Sequence, residues 1–175
     1  MPVIVKDGDV LRCTSRWLVH QGNCWTTKPH GLSASIASKW PFANVYAERR
    51  NQAGTSNFAV AEDRGIPGTV EIRGDGGGDS PIVVMLLAQL APGKPGAYYK
   101  NVVGSDGDTD EARCKWFQEA LNAFGEHIAE EEGDVSFPYG IGCGLAGGNW
   151  SQYQSMIGAW STKYGRHVTL WKHNA

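Results

Sequence analysis

Short apolar, β-branched runs recur along the 175-residue chain and predict six strands. These runs cover residues 1–5, 17–21, 69–74, 82–90, 134–139 and 167–171. The run 82–90 is apolar almost throughout, which is typical of a central strand covered on both faces. His20 falls on the second strand, where we expect a buried histidine whose ring nitrogens are hydrogen-bonded.

Apolar positions spaced three to four residues apart predict four helices between the strands, at 32–40, 43–50, 108–132 and 150–164. Asp108 with Glu111 resembles a capping box at the start of the third helix, and Asn149 can cap the fourth. The predicted buried stripes contain Leu32, Ile36 and Trp40, then Trp116, Phe117, Ala120, Leu121, Phe124 and Ile128, and finally Trp150, Tyr153, Ile157, Trp160 and Tyr164.

Strands that alternate with helices predict one α/β domain over residues 1–175, with helices on both faces of a mixed, mostly parallel sheet. Ligands of such sheets bind at the carboxyl ends of the strands. Two glycine-containing loops, 22–31 and 140–149, follow strands directly, so we expect them at the same edge. The segment 91–108 is a long loop, and long loops in compact domains are often functional.

Composition narrows the partners that the chain can have. There are 16 Lys+Arg against 18 Asp+Glu, a net charge of -2, which argues against general nucleic-acid binding. The longest apolar run, 82–91, is too short for a membrane span and contains Gln89. The 4 cysteines form no CxxC pair and no zinc-like spacing, so we expect reduced, buried thiols and no metal site. We expect a cytoplasmic monomer without a cofactor, with the nucleus as the alternative location.

Glycines are concentrated in FPYGIGCGLAGGNW, residues 137–150, between a predicted strand and a predicted helix. Glycines in this position let backbone N–H groups converge, and the helix N-terminus behind them completes an anion site that suits a diphosphate. The sequence is not a P-loop, because GxxxxGK[ST] is absent, and it is not a GxGxxG motif at the first strand. A tight turn without a ligand is the alternative interpretation of an isolated glycine cluster.

Four segments in one order resemble the macro domain family, which binds ADP-ribose: KDGDVL at 6–11, VHQGNC at 19–24, HGLSASIASKWP at 30–41 and FPYGIGCGLAGGNW at 137–150. The likeness spans nearly the whole chain, and the last segment is its most specific part. It implies a three-layer α/β/α fold. The chain is most similar to the branch with the terminal ADP-ribose–glutamate hydrolases and the yeast-type ADP-ribose 1″-phosphate phosphatase.

The resemblance also implies roles for single residues. Asp9, with the Val10 backbone beside it, would accept a hydrogen bond from the adenine amino group, and Asn23 would face the distal ribose. Gly31, which opens the first helix, would belong to the loop that faces the diphosphate-binding loop. The residues that would wrap the phosphates through backbone N–H groups are Gly142, Cys143, Gly144, Leu145, Ala146 and Gly147. Judged without the resemblance, Asp9 could instead cap a turn and Asn23 could form an Asx turn.

Aromatic side chains are candidates to stack on adenine or to cover a ribose. They are Trp25, Tyr99, Trp150 and Tyr153. Trp150 and Tyr153 also lie on the predicted apolar face of the last helix, so packing in the core is the alternative for these two.

Catalysis is a separate question, because the related glutamate hydrolases use a lysine in the first helix and an aspartate in the glycine loop. Alignment on GLSASIASKW and GCGLAGGNW places Ala37 and Ala146 at those positions, and alanine cannot act as nucleophile, acid or base. His30 and Lys28 are the remaining catalytic candidates. A histidine near the distal ribose could orient water or protonate a leaving group, and a lysine could balance a terminal phosphate. The alternatives are a loop hydrogen bond for His30 and a solvated Lys28.

Two functions therefore stay open. The first is an enzyme that removes a 1″-phosphate, an acyl group or a protein ester from the distal ribose of an ADP-ribose derivative. The second is a reader that binds free or protein-linked ADP-ribose without chemistry.

Overall fold

A computed structural model describes residues 3–173 and contains, within this range, one six-stranded sheet of order β1-β6-β5-β2-β4-β3. The strands are β1 (Val3–Asp7), β2 (Trp17–Asn23), β3 (Val70–Arg73), β4 (Ile82–Gln89), β5 (Val135–Pro138) and β6 (Val168–Lys172). The helices are α1 (Gly31–Lys39), α2 (Asp110–His127) and α3 (Trp150–Tyr164). All neighbouring strands are parallel except β3, which is antiparallel to β4. The predicted mixed, mostly parallel sheet is confirmed. Residues 1 and 2 of the predicted first strand lie outside the described range.

Helices cover both faces of the sheet, as predicted, and β4 shows this most clearly because every one of its residues is buried. Val84 and Leu86 belong to the apolar cluster that includes Phe117 of α2. Val83 points to the other face and belongs to the cluster that includes Ile36 of α1. Each such side chain contributes roughly 1.5–3 kcal/mol when it is removed from water. The sheet therefore lies between two apolar layers. The loops that follow the strands lie at the carboxyl ends of the strands, outside these layers.

The predicted helix over 43–50 is wrong. The chain forms short 3₁₀ turns at Pro41–Ala43 and Val45–Glu48 instead. Pro41 has no N–H to donate, and the Asn44 side chain accepts a hydrogen bond from Ala47 N, which replaces a helical partner.

The start of α2 also differs from the prediction. Thr109 is the N-cap, and its Oγ1 accepts a hydrogen bond from Ala112 N at 3.0 Å. The predicted capping box of Asp108 and Glu111 is wrong, because the Asp108 carboxylate binds Arg113 instead. Trp116 is half-buried rather than part of the fully buried stripe.

The long loop 91–108 is packed against the segment that follows the 3₁₀ turns. Tyr99 Oη donates to Asn57 O at 2.6 Å, and the Tyr99 and Phe58 rings have centroids 5.0 Å apart. All 4 cysteines are free thiols, with Cys13 and Cys24 buried and Cys114 and Cys143 half-buried. Across residues 3–173, no helix has both the length and the apolar character that crossing a bilayer requires.

Candidate functional site

A cavity of about 370 Å³ opens at the carboxyl ends of β2, β4 and β5. Both glycine-containing loops line it, which confirms the prediction that they lie at the same edge. Its walls come from His20–Asn23, His30–Ser33, Tyr46, Gln89, Pro92–Gly93, Pro138–Gly142 and Gly144–Ala146. Within residues 3–173, no aspartate, glutamate, lysine or arginine contributes to this lining. The cavity is therefore walled by neutral polar groups, backbone and apolar surface.

The glycine loop after β5 has a shape that side chains would prevent. Gly142 has φ +75°, and a Cβ there would lie 2.6 Å from Gln21 Oε1 and 2.7 Å from a Tyr153 ring carbon. Gly140 and Gly147 also have positive φ. Gly144 differs, because a Cβ at this position would meet nothing within 4 Å. The loop backbone thus lies directly on Gln21, and Gly144 faces open space.

The loop satisfies only some of its own N–H groups. Cys143 N donates to Gly140 O at 2.9 Å, and Gly148 N donates to Gly142 O at 3.0 Å. The three successive N–H groups of Gly144, Leu145 and Ala146 have no acceptor among the described residues. Successive unpaired backbone N–H groups form concave anion sites in proteins. This part of the lining can therefore supply donors to an anionic ligand.

The start of α1 supplies a second set of donors. His30 is the N-cap but makes no side-chain cap hydrogen bond, so the first N–H groups of the helix are left to the cavity or to solvent. Gly31 has φ +56°, and a Cβ there would lie 3.4 Å from Leu145 Cδ1. The helix start and the glycine loop thus face each other across the opening. The partial positive charge of a helix N-terminus adds to the attraction for an anion.

Two glutamine side chains form the floor of the cavity, and sequence analysis missed both as site residues. Gln89 Nε2 donates to Ala91 O at 2.9 Å, and Gln21 Nε2 donates to Gln89 Oε1 at 2.7 Å. A carbonyl oxygen can only accept, so this chain fixes the orientation of both amides. Gln21 Oε1 is then buried without a hydrogen-bond partner among the described residues. The available signal was that Gln89 is the one polar residue in the run 82–90.

His20 is buried as predicted, with 3% of its surface exposed, but the expectation that both ring nitrogens are hydrogen-bonded is wrong. Ser33 Oγ donates to Gln21 O at 3.3 Å, so it accepts from His20 Nδ1, which lies 2.9 Å away. Nε2 is then a lone-pair acceptor, and it is buried without a partner in the described part of the chain. Burial lowers the pKa of His20 to about 4, which keeps the ring neutral.

The two catalytic candidates lie in one loop, but only His30 lines the cavity. Asn57 Oδ1 accepts from the backbone N–H groups of Thr27 and Lys28, both at 2.8 Å. The Asn57 amide nitrogen is therefore the donor to His30 Nε2, at 3.2 Å. His30 thus receives a loop hydrogen bond on one nitrogen. Lys28 is exposed and lies outside the lining.

Asn23 lines the cavity and also forms the Asx turn that was the alternative interpretation. Its Oδ1 accepts from Trp25 N at 3.0 Å and from Thr26 N at 2.9 Å. Its amide nitrogen has no acceptor among residues 3–173, so it remains a donor that the cavity can use.

Four of the residues named from the resemblance, and the aromatic candidate Trp150, lie outside the lining. Asp9 Oδ1 accepts from Leu11 N at 2.9 Å and so caps the turn Val10–Arg12, while Val10 is buried in the cluster with Ile36. The remaining three are Cys143, Gly147 and Trp150.

These three residues have structural contacts near the cavity. Cys143 Sγ donates to Ile141 O at 3.4 Å, and burial raises the pKa of its thiol to about 11. A Cβ on Gly147 would meet the Lys94 side chain at 2.9 Å. The Trp150 ring packs on Tyr139, with centroids 4.8 Å apart.

The two alanines that replace the related catalytic pair have different positions. Ala146 lines the cavity, whereas Ala37 is buried on α1 and does not. Neither position supplies an ionisable group to the cavity.

A buried arginine behind the cavity joins its walls together. Arg113 of α2 donates through Nη1 to Gly93 O at 2.6 Å and to Ala146 O at 3.4 Å, and through Nη2 to Ala91 O at 3.1 Å. Sequence analysis missed Arg113, although it lies four residues before Phe117 on the same helical stripe. One side chain thus ties the glycine loop to the loop after β4.

Comparison with known proteins shows the fold. No family model matches the sequence, and no curated protein matches it. The macrodomain of Mycobacterium tuberculosis DarG is similar, with a TM-score of 0.68, 15% identity and 99% of each chain covered. The macrodomain of Thermus aquaticus DarG gives 0.67, 13% identity and 99% of each chain. Thermosipho africanus DarTG in complex with ADP-ribose gives 0.61 and 12% identity over 97% of this chain and 41% of that one. The chain therefore has the macrodomain fold, as predicted.

Proposed function

We propose that this chain binds ADP-ribose, free or attached to another molecule, in the cavity at the carboxyl edge of the sheet. The observation that carries the proposal is the pair of facing donor sets. On one side are the unpaired N–H groups of Gly144–Ala146, and on the other is the uncapped start of α1 at Gly31. Together they suit a diphosphate, and they do so without a cationic side chain.

The fold supports the same ligand. A structure similar to this chain, that of Thermosipho africanus DarTG, contains ADP-ribose. In our proposal Asp9 and the Val10 backbone contact the adenine, and Asn23 offers its amide nitrogen to the distal ribose. Trp150 stays a candidate for covering the ligand from the Tyr139 side of the loop.

Binding without the lysine-and-aspartate chemistry is the function that the lining favours. No carboxylate or ammonium group of the described residues lines the cavity, and Ala146 stands in the glycine loop. The second candidate is hydrolysis or phosphate removal at the distal ribose by His30. It is favoured by the position of His30 in the lining, where Asn57 engages Nε2 and Nδ1 has no hydrogen-bond partner among residues 3–173.

Titration calorimetry with ADP-ribose tests the proposal, and a phosphate-release assay with ADP-ribose 1″-phosphate in the same preparation tests the second candidate. We expect micromolar or tighter binding and no release. Phosphate release by the wild type that disappears in His30→Gln would establish that the protein is an enzyme that uses His30. No heat with ADP-ribose, from protein shown to be folded, would overturn the proposed function.

A further inference from the structure

Two buried acceptors without partners among residues 3–173 belong to adjacent residues of β2, whose side chains point to opposite faces of the sheet. They are His20 Nε2 and Gln21 Oε1, and both residues line the cavity. A buried polar atom without a partner costs about 1–3 kcal/mol, so proteins rarely keep one that nothing binds. Gln21 Oε1 lies on the face of the sheet that the glycine loop covers.

The acceptor character of Gln21 is fixed by a chain of hydrogen bonds that ends in a buried ion pair. Gln21 Nε2 donates to Gln89 Oε1, and Gln89 Nε2 donates to Ala91 O. Ala91 is itself held, because its N donates to Asp108 Oδ2 and its O accepts from Arg113 Nη2. Rotating the Gln21 amide by half a turn would bring the amide oxygens of Gln21 and Gln89 together. Oε1 of Gln21 therefore stays on the side of the amide where it has no hydrogen-bond partner among the described residues.

The location of Oε1 restricts the group that it can recognise. Gly142 lies directly over it, since a Cβ on Gly142 would be 2.6 Å away. The floor acceptor is therefore beside the backbone that offers N–H groups to the phosphates. An oxygen lone pair repels a phosphate oxygen and attracts an uncharged donor. In ADP-ribose the uncharged donors next to the diphosphate are the hydroxyl groups of its two riboses.

We propose that Gln21, oriented by Gln89, is a specificity-determining residue that accepts a hydrogen bond from a ribose hydroxyl adjoining the diphosphate. This inference rests on the proposed function. The floor makes the site selective for an intact ribose, whereas the glycine loop alone would accept any diphosphate.

A cycle of protein variants against ligand analogues tests the proposal. The ligands are ADP-ribose, ADP and the four ADP-ribose analogues that each lack one secondary hydroxyl of one ribose. The proteins are the wild type, Gln21→Met, and Gln89→Met, which breaks the same inter-side-chain bond but keeps the Gln21 acceptor. Thermal unfolding confirms that each variant folds. If Gln21→Met does not fold, Gln21→Asn takes its place in the experiment, because the shorter side chain withdraws the acceptor oxygen by one methylene.

We expect the wild type to bind ADP-ribose about ten-fold more tightly than one of the deoxy analogues, as loss of one hydrogen bond implies. Gln21→Met should bind ADP-ribose and that deoxy analogue equally. Gln89→Met should keep only part of the difference in affinity, because Gln21 retains its acceptor oxygen but loses the partner that orients it. If Gln21→Met also binds ADP less tightly than the wild type does, the hydroxyl belongs to the adenosine ribose. If Gln21→Met binds ADP as tightly as the wild type does, the hydroxyl belongs to the distal ribose. Either result supports the proposal, because a merely structural role would weaken all the ligands alike.

The experiment distinguishes a failure of the proposed function from a failure of this inference. A wild type that does not bind ADP-ribose overturns the proposed function and this inference with it. A wild type that binds ADP-ribose, with every analogue difference preserved in Gln21→Met, overturns this inference alone.

Discussion

Arg113 and Asp108 form an ion pair in which Nε and Nη2 donate to the two carboxylate oxygens at 2.6 and 2.8 Å, with side chains only 2% and 3% exposed. The remaining N–H groups of the guanidinium reach carbonyls of Ala91, Gly93 and Ala146. The pair therefore organises two walls of the cavity as well as the interior. It also explains why Asp108 does not cap α2.

Replacing Arg113 by methionine should cost about 3–5 kcal/mol in the free energy of unfolding, because Asp108 would be left buried and unpaired. Urea denaturation measures this loss. Arg16→Met is the matched control, since Arg16 pairs with Glu131 on the surface, where the side chains are 43% and 41% exposed. That change should cost less than about 1 kcal/mol. Equal losses in the two variants would contradict the importance of the buried pair.

Gly144→Glu should fold normally and lose affinity for ADP-ribose by about a hundred-fold or more. A side chain at Gly144 meets nothing within 4 Å, so the fold tolerates it, but the carboxylate would occupy the space proposed for the diphosphate. Gly144→Ala is the control and should bind nearly as the wild type does. Calorimetry and thermal unfolding measure both properties, and normal binding by Gly144→Glu would show that the phosphates lie elsewhere.

Gly142→Ala should behave in the opposite way and destabilise the fold itself. The added methyl group would overlap Gln21 Oε1 and the Tyr153 ring at a φ of +75°. Strained backbone and overpacking each cost roughly 1–3 kcal/mol. Urea denaturation of this variant beside Gly144→Ala compares two glycines of one loop, and similar stabilities would contradict the described loop conformation.

Asp9→Ala should weaken ADP-ribose binding and hardly affect ribose 5-phosphate, because only ADP-ribose contains the adenine that Asp9 is proposed to contact. The same change removes the cap on Leu11 N, at a cost of about 1 kcal/mol. Asp9→Ser retains a capping oxygen but is too short to reach a base. Calorimetry on both variants separates the two roles, and unchanged ADP-ribose affinity in Asp9→Ser would leave Asp9 with capping alone.

The sequence was sufficient for the elements that depend on local pattern. All six predicted strands occur in residues 3–173, since β-branched runs bounded by turns specify strands strongly. The glycine loop was also predictable, because positive φ at Gly142 needs glycine. What could not be predicted depends on distant partners. No residue near Gln21 in the sequence indicates that it contacts Gln89 and Gly142. Asp108 has the sequence position of a helix cap, and only the structure shows that it pairs with Arg113 instead.

His20 should make the stability of the protein depend on pH in a specific window. Its pKa is lowered to about 4 by burial, whereas an unfolded histidine has a pKa of about 6.5. The unfolded chain therefore takes up a proton first, so this contribution is fully present above about pH 6.5 and is lost as the pH falls toward 4.

Between pH 7 and pH 5 this difference should lower the free energy of unfolding by about 2 kcal/mol. Denaturation at both pH values measures it, with His20→Asn as the control. Asparagine can still donate to Ser33 Oγ, as His20 Nδ1 does, but it does not titrate. The wild type should lose about 2 kcal/mol more than His20→Asn over this interval, because the carboxylates contribute equally to both proteins. Identical losses would mean that burial does not lower the pKa of His20, and that it takes up a proton in the folded protein as readily as in the unfolded chain.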